Sequence, residues 1–228
     1  MLKRPSTALR LGIAVVIALV TIGIAGAIVT RQSETNESAA AVPASSDASS
    51  PLTSRTNSHI LQPDADGSVT LVEFLDFECE SCRAVYPFIE SLRKTYAGKV
   101  RFIARYFPIP SHANAVNAAL AVEAAAQQGR FEAMYSRMYE TQEQWGEQEE
   151  SKASLFRDFA QSIGLDLQRY DAAIADPSTL ARIELDRQEG LALGVDGTPS
   201  FFLNGERIRP QSEQELQSLI DGKLAARP

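Results

Sequence analysis

Residues 69–82 read VTLVEFLDFECESC, and the fold turns on how they are read. Val69 to Phe77 is nearly continuous in apolar character and rich in β-branched and aromatic side chains. That pattern predicts a strand buried on both faces, as in a parallel or mixed sheet. Cys79 follows two residues after Phe77. From Cys82 to Tyr96 the period changes: Val85, Phe88, Ile89, Leu92 and Tyr96 recur at three and four, which predicts a helix. Pro87 lies inside it and is expected to kink it, and Gly98 ends it. Lys99 to Phe107 (KVRFIARYF) then alternates as a second strand. The result is a β-α-β unit with a Cys-x-x-Cys pair at the strand-to-helix turn.

Toward the C-terminus a long stretch carries no strand signal. Helices are predicted over residues 113–128, 130–141, 151–163, 166–175 and from Pro177 to about Leu193, with Gly164 and Gly194 as breaks. Ser200 to Leu203 (SFFL), Asn204-Gly205 and Arg207-Ile208-Arg209 form a hairpin signature. Ser212, with Glu215 three residues later, is a capping box opening a last amphipathic helix to about Ala225. The predicted order is therefore strand, helix, strand, helical block, hairpin, helix.

Toward the N-terminus, Lys3, Arg4 and Arg10 precede a run from Leu11 to Val29 that holds no charge. As a helix it would be about 28 Å long, close to a bilayer's hydrocarbon thickness. Basic residues before the run place residues 1–10 in the cytoplasm and the rest outside. Residues 11–30 are read as a single-pass transmembrane anchor. The alternative is a cleaved signal peptide, for which Ala25-Gly26-Ala27 would serve as the cleavage site. Either reading exports the chain, to where disulfides form and persist. Residues 31–60 are poor in large apolar side chains and read as a flexible linker, with His59 solvated at its end. Residues 61–228 are left as the folded domain.

The chain has two cysteines and a formal net charge of -7. The acidic balance argues against nucleic-acid binding, which needs a basic footprint. Cysteine usage restricts any disulfide to the Cys79–Cys82 pair. Three chemistries compete for it. Half a zinc site would need further ligands, and only His59, His112 and carboxylates are on offer. A permanent staple would close too small a loop to contribute much chain entropy. A redox pair fits best: exchange needs a thiolate to attack and a second thiol to resolve the mixed disulfide. At a helix N-terminus the first cysteine meets backbone N–H groups and the positive end of the dipole. Cys79 is accordingly read as nucleophile and Cys82 as resolving thiol, with no metal and no cofactor. Gly197-Thr198-Pro199, just before SFFL, is a candidate cis-proline turn.

Over about residues 60–225 the chain resembles the thioredoxin superfamily, and within it the DsbA-like branch of exported thiol oxidoreductases. Three features carry the resemblance: Glu73-Phe74 and Phe77 leading into Cys79 and Cys82, the helical block, and Thr198-Pro199 before the final hairpin. It implies a thioredoxin-like α/β fold with a helical insertion at about residues 111–194. It also implies that Thr198 and Pro199 border a peptide-binding groove. On this reading the substrates are exported proteins with reduced cysteines, and electrons pass to a quinone-linked thiol oxidase in the membrane. The domain would sit outside the cell membrane and introduce disulfides. A reductase or isomerase of the same fold, or a non-catalytic binding module, is the alternative.

Glu73 shares a strand face with Leu71 and Leu75, so desolvation should raise its pKa and fit it to shuttle a proton for Cys82. The resemblance implies the same role at that position. The plainer alternative is an edge-strand carboxylate paired with a surface arginine. Between the cysteines stand Glu80 and Ser81, where oxidising relatives commonly carry Pro-His. With Glu78 and Glu80 beside Cys79 and no histidine between the cysteines, a less stabilised thiolate, and so a less oxidising centre, is expected than in a Pro-His relative. His112 is expected to serve its own loop, and Trp145 is read either as exposed at the substrate face or as docked on the helical block.

Overall fold

The computed structural model describes residues 53–63 and 69–226. The expected anchor and most of the linker lie outside these residues. Among the described residues no helix is long and apolar enough to cross a membrane.

Five strands form one mixed sheet: β1 (His59–Gln62), β2 (Thr70–Leu75), β3 (Arg101–Tyr106), β4 (Ser200–Leu203) and β5 (Glu206–Ile208). Their spatial order is β1-β3-β2-β4-β5, with β2 and β3 parallel and every other pair antiparallel. The parallel pair is joined by helix α1 (Glu80–Thr95), as a crossover requires. Between β3 and β4 the chain runs through α2 (Ala115–Ala126), α3 (Phe131–Thr141), a 3-10 turn at Gln142–Gln144, α4 (Ala153–Ser162), α5 (Leu167–Ala175) and α6 (Pro177–Ala192). Helix α7 (Glu213–Ala225) closes the fold. The elements foreseen from residue 69 onward are present, with ends shifted by at most two residues.

The continuous apolar character of β2 has the expected cause: both sheet faces are covered. Leu71 and Leu75 join Phe102, Tyr106, Ile89 and Leu92 in the larger core, which extends into the helical insertion. Val72 and Phe74 face the other way, with Ile103, Phe107, Val195 and Phe202 in a smaller core. Helix α6 crosses that second face closely at Gly190. A Cβ built there would lie 2.8 Å from Phe107 Cδ2 and 3.1 Å from Phe74 Cδ1. Two packed rings cannot both yield, and overpacking of this kind costs about 1–3 kcal/mol. Alanine's better helix propensity returns only about 1 kcal/mol. Gly190→Ala is therefore expected to lose about 1 kcal/mol or more in urea unfolding. Unchanged or increased stability would show that α6 shifts freely.

Three expectations change, and one pair of alternatives is resolved. Residues 53–60 do not belong to a linker: Thr53 and Ser58 are buried, and His59 and Ile60 are in β1. The boundary was hidden because β1 contains only four residues and pairs across 40 positions of sequence. His59 is not solvated. Its Nε2 lies 2.6 Å from Glu123 Oε2 and 3.1 Å from the Tyr106 hydroxyl, and the ring stacks on Phe131 at 4.1 Å. The capping box is only half present: Glu215 N donates to Ser212 Oγ at 3.2 Å, but the Glu215 carboxylate accepts from Gln211 N. Trp145 is fully buried edge-on against Phe156, with ring centroids 4.8 Å apart, so it docks on the helical block.

Beneath the sheet's second face lies a buried ion cluster. Arg105 on β3 donates from Nε to Asp186 Oδ1 at 2.7 Å and from Nη2 to Glu189 Oε2 at 2.5 Å, both acids on α6. Arg182 pairs with the same Asp186, Arg55 pairs with Glu189, and Arg105 Nη1 donates to the Thr53 carbonyl at 3.3 Å. The cluster thus fastens the entering chain and α6 to the sheet.

Candidate active site

Because β2 and β3 are parallel, the residues after both strands emerge at the same end of the sheet. There Cys79 caps α1, with φ -68° and ψ 121°, and its carbonyl accepts from Arg83 N at 3.1 Å. Both cysteines are free thiols and both are buried, at 8% exposure for Cys79 and 1% for Cys82. The Thr198–Pro199 bond is cis and its loop faces the pair: Cys79 Sγ donates to the Thr198 carbonyl at 3.4 Å. The expected meeting of Cys79, Cys82, Thr198 and Pro199 is therefore what the fold produces.

The two sulfurs are electrostatically unlike. A hydrogen bond from Cys82 does most to bring the Cys79 thiol down to about 5, against the opposing effect of burial. Thr198 and the backbone N–H groups of Cys82 and Ser81 add to it. Cys82 is pushed well up, first by burial, then by its bond to Cys79 and the field of Glu73. The arrangement suits Cys79 to attack and Cys82 to hold its proton.

The carboxylates that flank Cys79 in sequence are engaged or exposed. Glu78 is folded away: it accepts from Asn114 N at 2.6 Å and Glu147 N at 3.2 Å, and burial raises its pKa. Glu80 and Ser81 are exposed. A histidine does reach the site, but from another loop. His112 Nδ1 lies 2.7 Å from Asp76 Oδ2, and the ring lines the same cavity as Cys79. Asp76 is buried at the end of β2 and also accepts from Glu78 N and Ile109 N, both at 2.8 Å. Gln142 adds a brace, its amide donating to the carbonyls of Phe77 at 2.7 Å and Cys79 at 3.0 Å. Asp76 and Gln142 carried no sequence signal of this role. For His112 the signal was the parallel β2–β3 pair, which brings the loop after β3 beside the turn after β2.

Glu73 is not at an edge. β2 is paired on both sides, Glu73 opposite Ala104 and Phe201, and among the described residues Glu73 forms no ion pair. It is buried on the α1 side, and desolvation, then Cys79 and Glu90, raise its pKa to about 8. The stability consequence follows from the sign. The native state keeps this proton and the unfolded chain sheds it, so the stability tied to the protonated form is complete below about 4.5 and is lost as pH rises toward about 8. At pH 7 the loss is about 3 kcal/mol. Glu73→Gln in the reduced protein should therefore be more stable than the parent at about pH 8 and similar at about pH 4. Parallel stability profiles for the two would refute a raised pKa.

One cavity adjoins the cis-proline loop and another adjoins Cys79. The first, of about 560 Å³, lies between α1, the cis-proline loop and α7, with Val85, Phe88, Pro199, Ile208 and Leu216 among its walls. The other, of about 410 Å³, holds Cys79, Glu80, Ser81, His112, Glu147 and Glu149. Among the described residues no group of three or more His, Cys, Asp or Glu is placed to hold a metal ion.

A dithiol at the mouth of a β-α-β unit, facing a cis-proline loop across a mixed sheet, defines a thioredoxin-fold protein with a Cys-x-x-Cys centre. The chain belongs to the thioredoxin family, whose model matches residues 54–222. It is similar to a thioredoxin-like oxidoreductase from Silicibacter pomeroyi DSS-3, with 26% identity and a TM-score of 0.65 over 77% of this chain and 97% of that one. It shares its fold with the thiol-disulfide exchange protein alpha-DsbA2 of Wolbachia pipientis, at 21% identity and a TM-score of 0.63 over 75% and 90% of the two chains. Its fold is thus that of DsbA-like oxidoreductases with a helical insertion. Among curated proteins it is 34% identical over 151 residues to the Na+/H+ antiporter NhaA of Herminiimonas arsenicoxydans. That match takes in 66% of this chain but 23% of the antiporter, so the chain spans about a quarter of that relative.

Proposed function

We propose that this chain is a membrane-tethered, extracytoplasmic protein thiol–disulfide oxidoreductase that introduces disulfides into exported proteins. What supports the oxidising direction is the place of Cys79 at the N-terminus of α1, where a hydrogen bond from Cys82 and the backbone N–H groups of Cys82 and Ser81 bring its thiol down to about 5. A stabilised thiolate stabilises the reduced form, and a stabilised reduced form makes the disulfide the stronger oxidant. In the reaction a substrate thiolate attacks Cys79 Sγ of the Cys79–Cys82 disulfide. The S–S bond breaks, Cys82 leaves as thiolate, and the carboxyl of Glu73 supplies its proton. A second substrate thiolate then attacks the substrate sulfur of the mixed disulfide and Cys79 departs as thiolate. Two electrons remain on the pair, and a quinone-linked thiol oxidase in the membrane removes them. Thr198 and Pro199 border the groove in which the substrate lies, and residues 11–30 hold the domain at the cell membrane.

Reactivation of reduced ribonuclease together with insulin reduction tests the direction. Ribonuclease reactivation with a mostly oxidised pair in cells is the expected result. Insulin reduction alone, with a mostly reduced pair, would assign a reductase. Neither activity would leave a binding module.

A further inference from the structure

His112 lies outside the Cys-x-x-Cys segment, and the mechanism above does not use it. Its surroundings are those of a poised cation. Nδ1 is committed to Asp76 Oδ2 at 2.7 Å, Asp76 is itself buried, and the ring is only partly exposed. That bond fixes Nδ1 as the protonated nitrogen of the neutral ring, so a second proton goes to Nε2. The loop is stiffened by Pro108 and Pro110 and tied back by His112 N to the Ile109 carbonyl at 3.0 Å. Cys79 lines the same cavity as His112.

We propose that His112, held by Asp76, is an electrostatic positioning residue for Cys79, its imidazolium stabilising the thiolate across their shared cavity. The residue supplies from a separate loop the positive charge that the Glu80-Ser81 dipeptide lacks. The groups facing His112 reinforce its charge. Asp76 comes from the end of β2, Glu78, Cys79 and Glu80 from the turn into α1, and Glu147 and Glu149 from the insertion. Its pKa is raised above the ordinary 6.5, the bond to Asp76 contributing most, with the fields of Asp76, Cys79 and Glu78 behind it. Between the Cys79 value of about 5 and that of His112, thiolate and imidazolium coexist. Above the His112 pKa the ring is neutral and its support for the thiolate is lost.

The inference rests on Cys79 being the attacking sulfur, and its test needs no substrate. The thiolate absorbance of the full-length reduced protein is titrated for the parent, His112→Gln and His112→Asn. The parent should show a second, smaller inflection as His112 deprotonates. His112→Gln should lose that inflection and raise the Cys79 pKa by about one unit, shifting its equilibrium with glutathione about tenfold toward the disulfide. His112→Asn retains an N–H for Asp76 but no charge. If His112 only braced its loop, His112→Asn would titrate like the parent; the proposal requires it to follow His112→Gln. A thiolate titration unchanged in both folded variants would overturn the assignment, whatever the insulin and ribonuclease assays report.

Discussion

Cys79→Ser is expected to bring disulfide exchange down to the uncatalysed background, while Cys82→Ser arrests the reaction half-way. The difference follows from the division of labour between the sulfurs. Cys79 borders the open cavity, carries the lowered pKa and lies 3.4 Å from the cis-proline loop. A serine hydroxyl there is neither ionised near neutrality nor able to form the mixed disulfide, so the loss should be on the order of a thousandfold or more. Cys82 is 1% exposed and reaches no substrate directly. Its serine variant keeps an attacking thiolate but has no resolving thiol, so complexes with substrate should accumulate on non-reducing gels and dissolve with reductant. Trapping by Cys79→Ser and not by Cys82→Ser would reverse the assignment. Cys82→Ala, which removes the donor, should raise the Cys79 pKa, because the hydrogen bond from Cys82 is the largest cause of its depression.

The second large effect concerns stability. Arg105 and Asp186 are both fully buried as side chains, and Glu189 nearly so. Deleting one partner of such a set leaves the others charged and desolvated, at a cost of about 3–5 kcal/mol. Asp186 keeps Arg182 and Glu189 keeps Arg55, so Arg105→Ala should fall at the lower end, about 3 kcal/mol. For a domain of this size that is about 6–12 °C in melting temperature. A loss below about 1 kcal/mol would mean that water or the neighbouring arginines fill the gap.

What the sequence disclosed divides along a physical line. Period and turn chemistry are local, so β2, α1, the Asn-Gly hairpin and the Ser212 cap could be read directly. Cys79, Cys82 and Thr198-Pro199 announced themselves by residue type. Glu73 was legible as buried because β2 is apolar around it, though not as central, since which strand lies next to which is not written in either strand. His59, Asp76 and Gln142 were misread or overlooked for one reason. Each is an ordinary polar residue whose role is set by a partner tens of positions away: Glu123 for His59, His112 for Asp76, and the Phe77 and Cys79 carbonyls for Gln142. Nor do the charges around Cys79 follow sequence distance: Glu78 turns toward Asn114 and Glu147, and His112 comes in from another loop.

The turn from Asp76 to Cys79 is held almost entirely by groups lying between β3 and β4. His112 and the Tyr139 hydroxyl reach Asp76, the amides of Asn114 and Glu147 reach Glu78, and Gln142 reaches Phe77 and Cys79. The helical block is therefore no detachable accessory to a minimal five-stranded scaffold. Excising it, or transplanting the Cys79–Cys82 segment onto a bare scaffold, would remove the mould in which the redox turn is cast. Diversification of this architecture is correspondingly constrained: the insertion and the dithiol turn must change together.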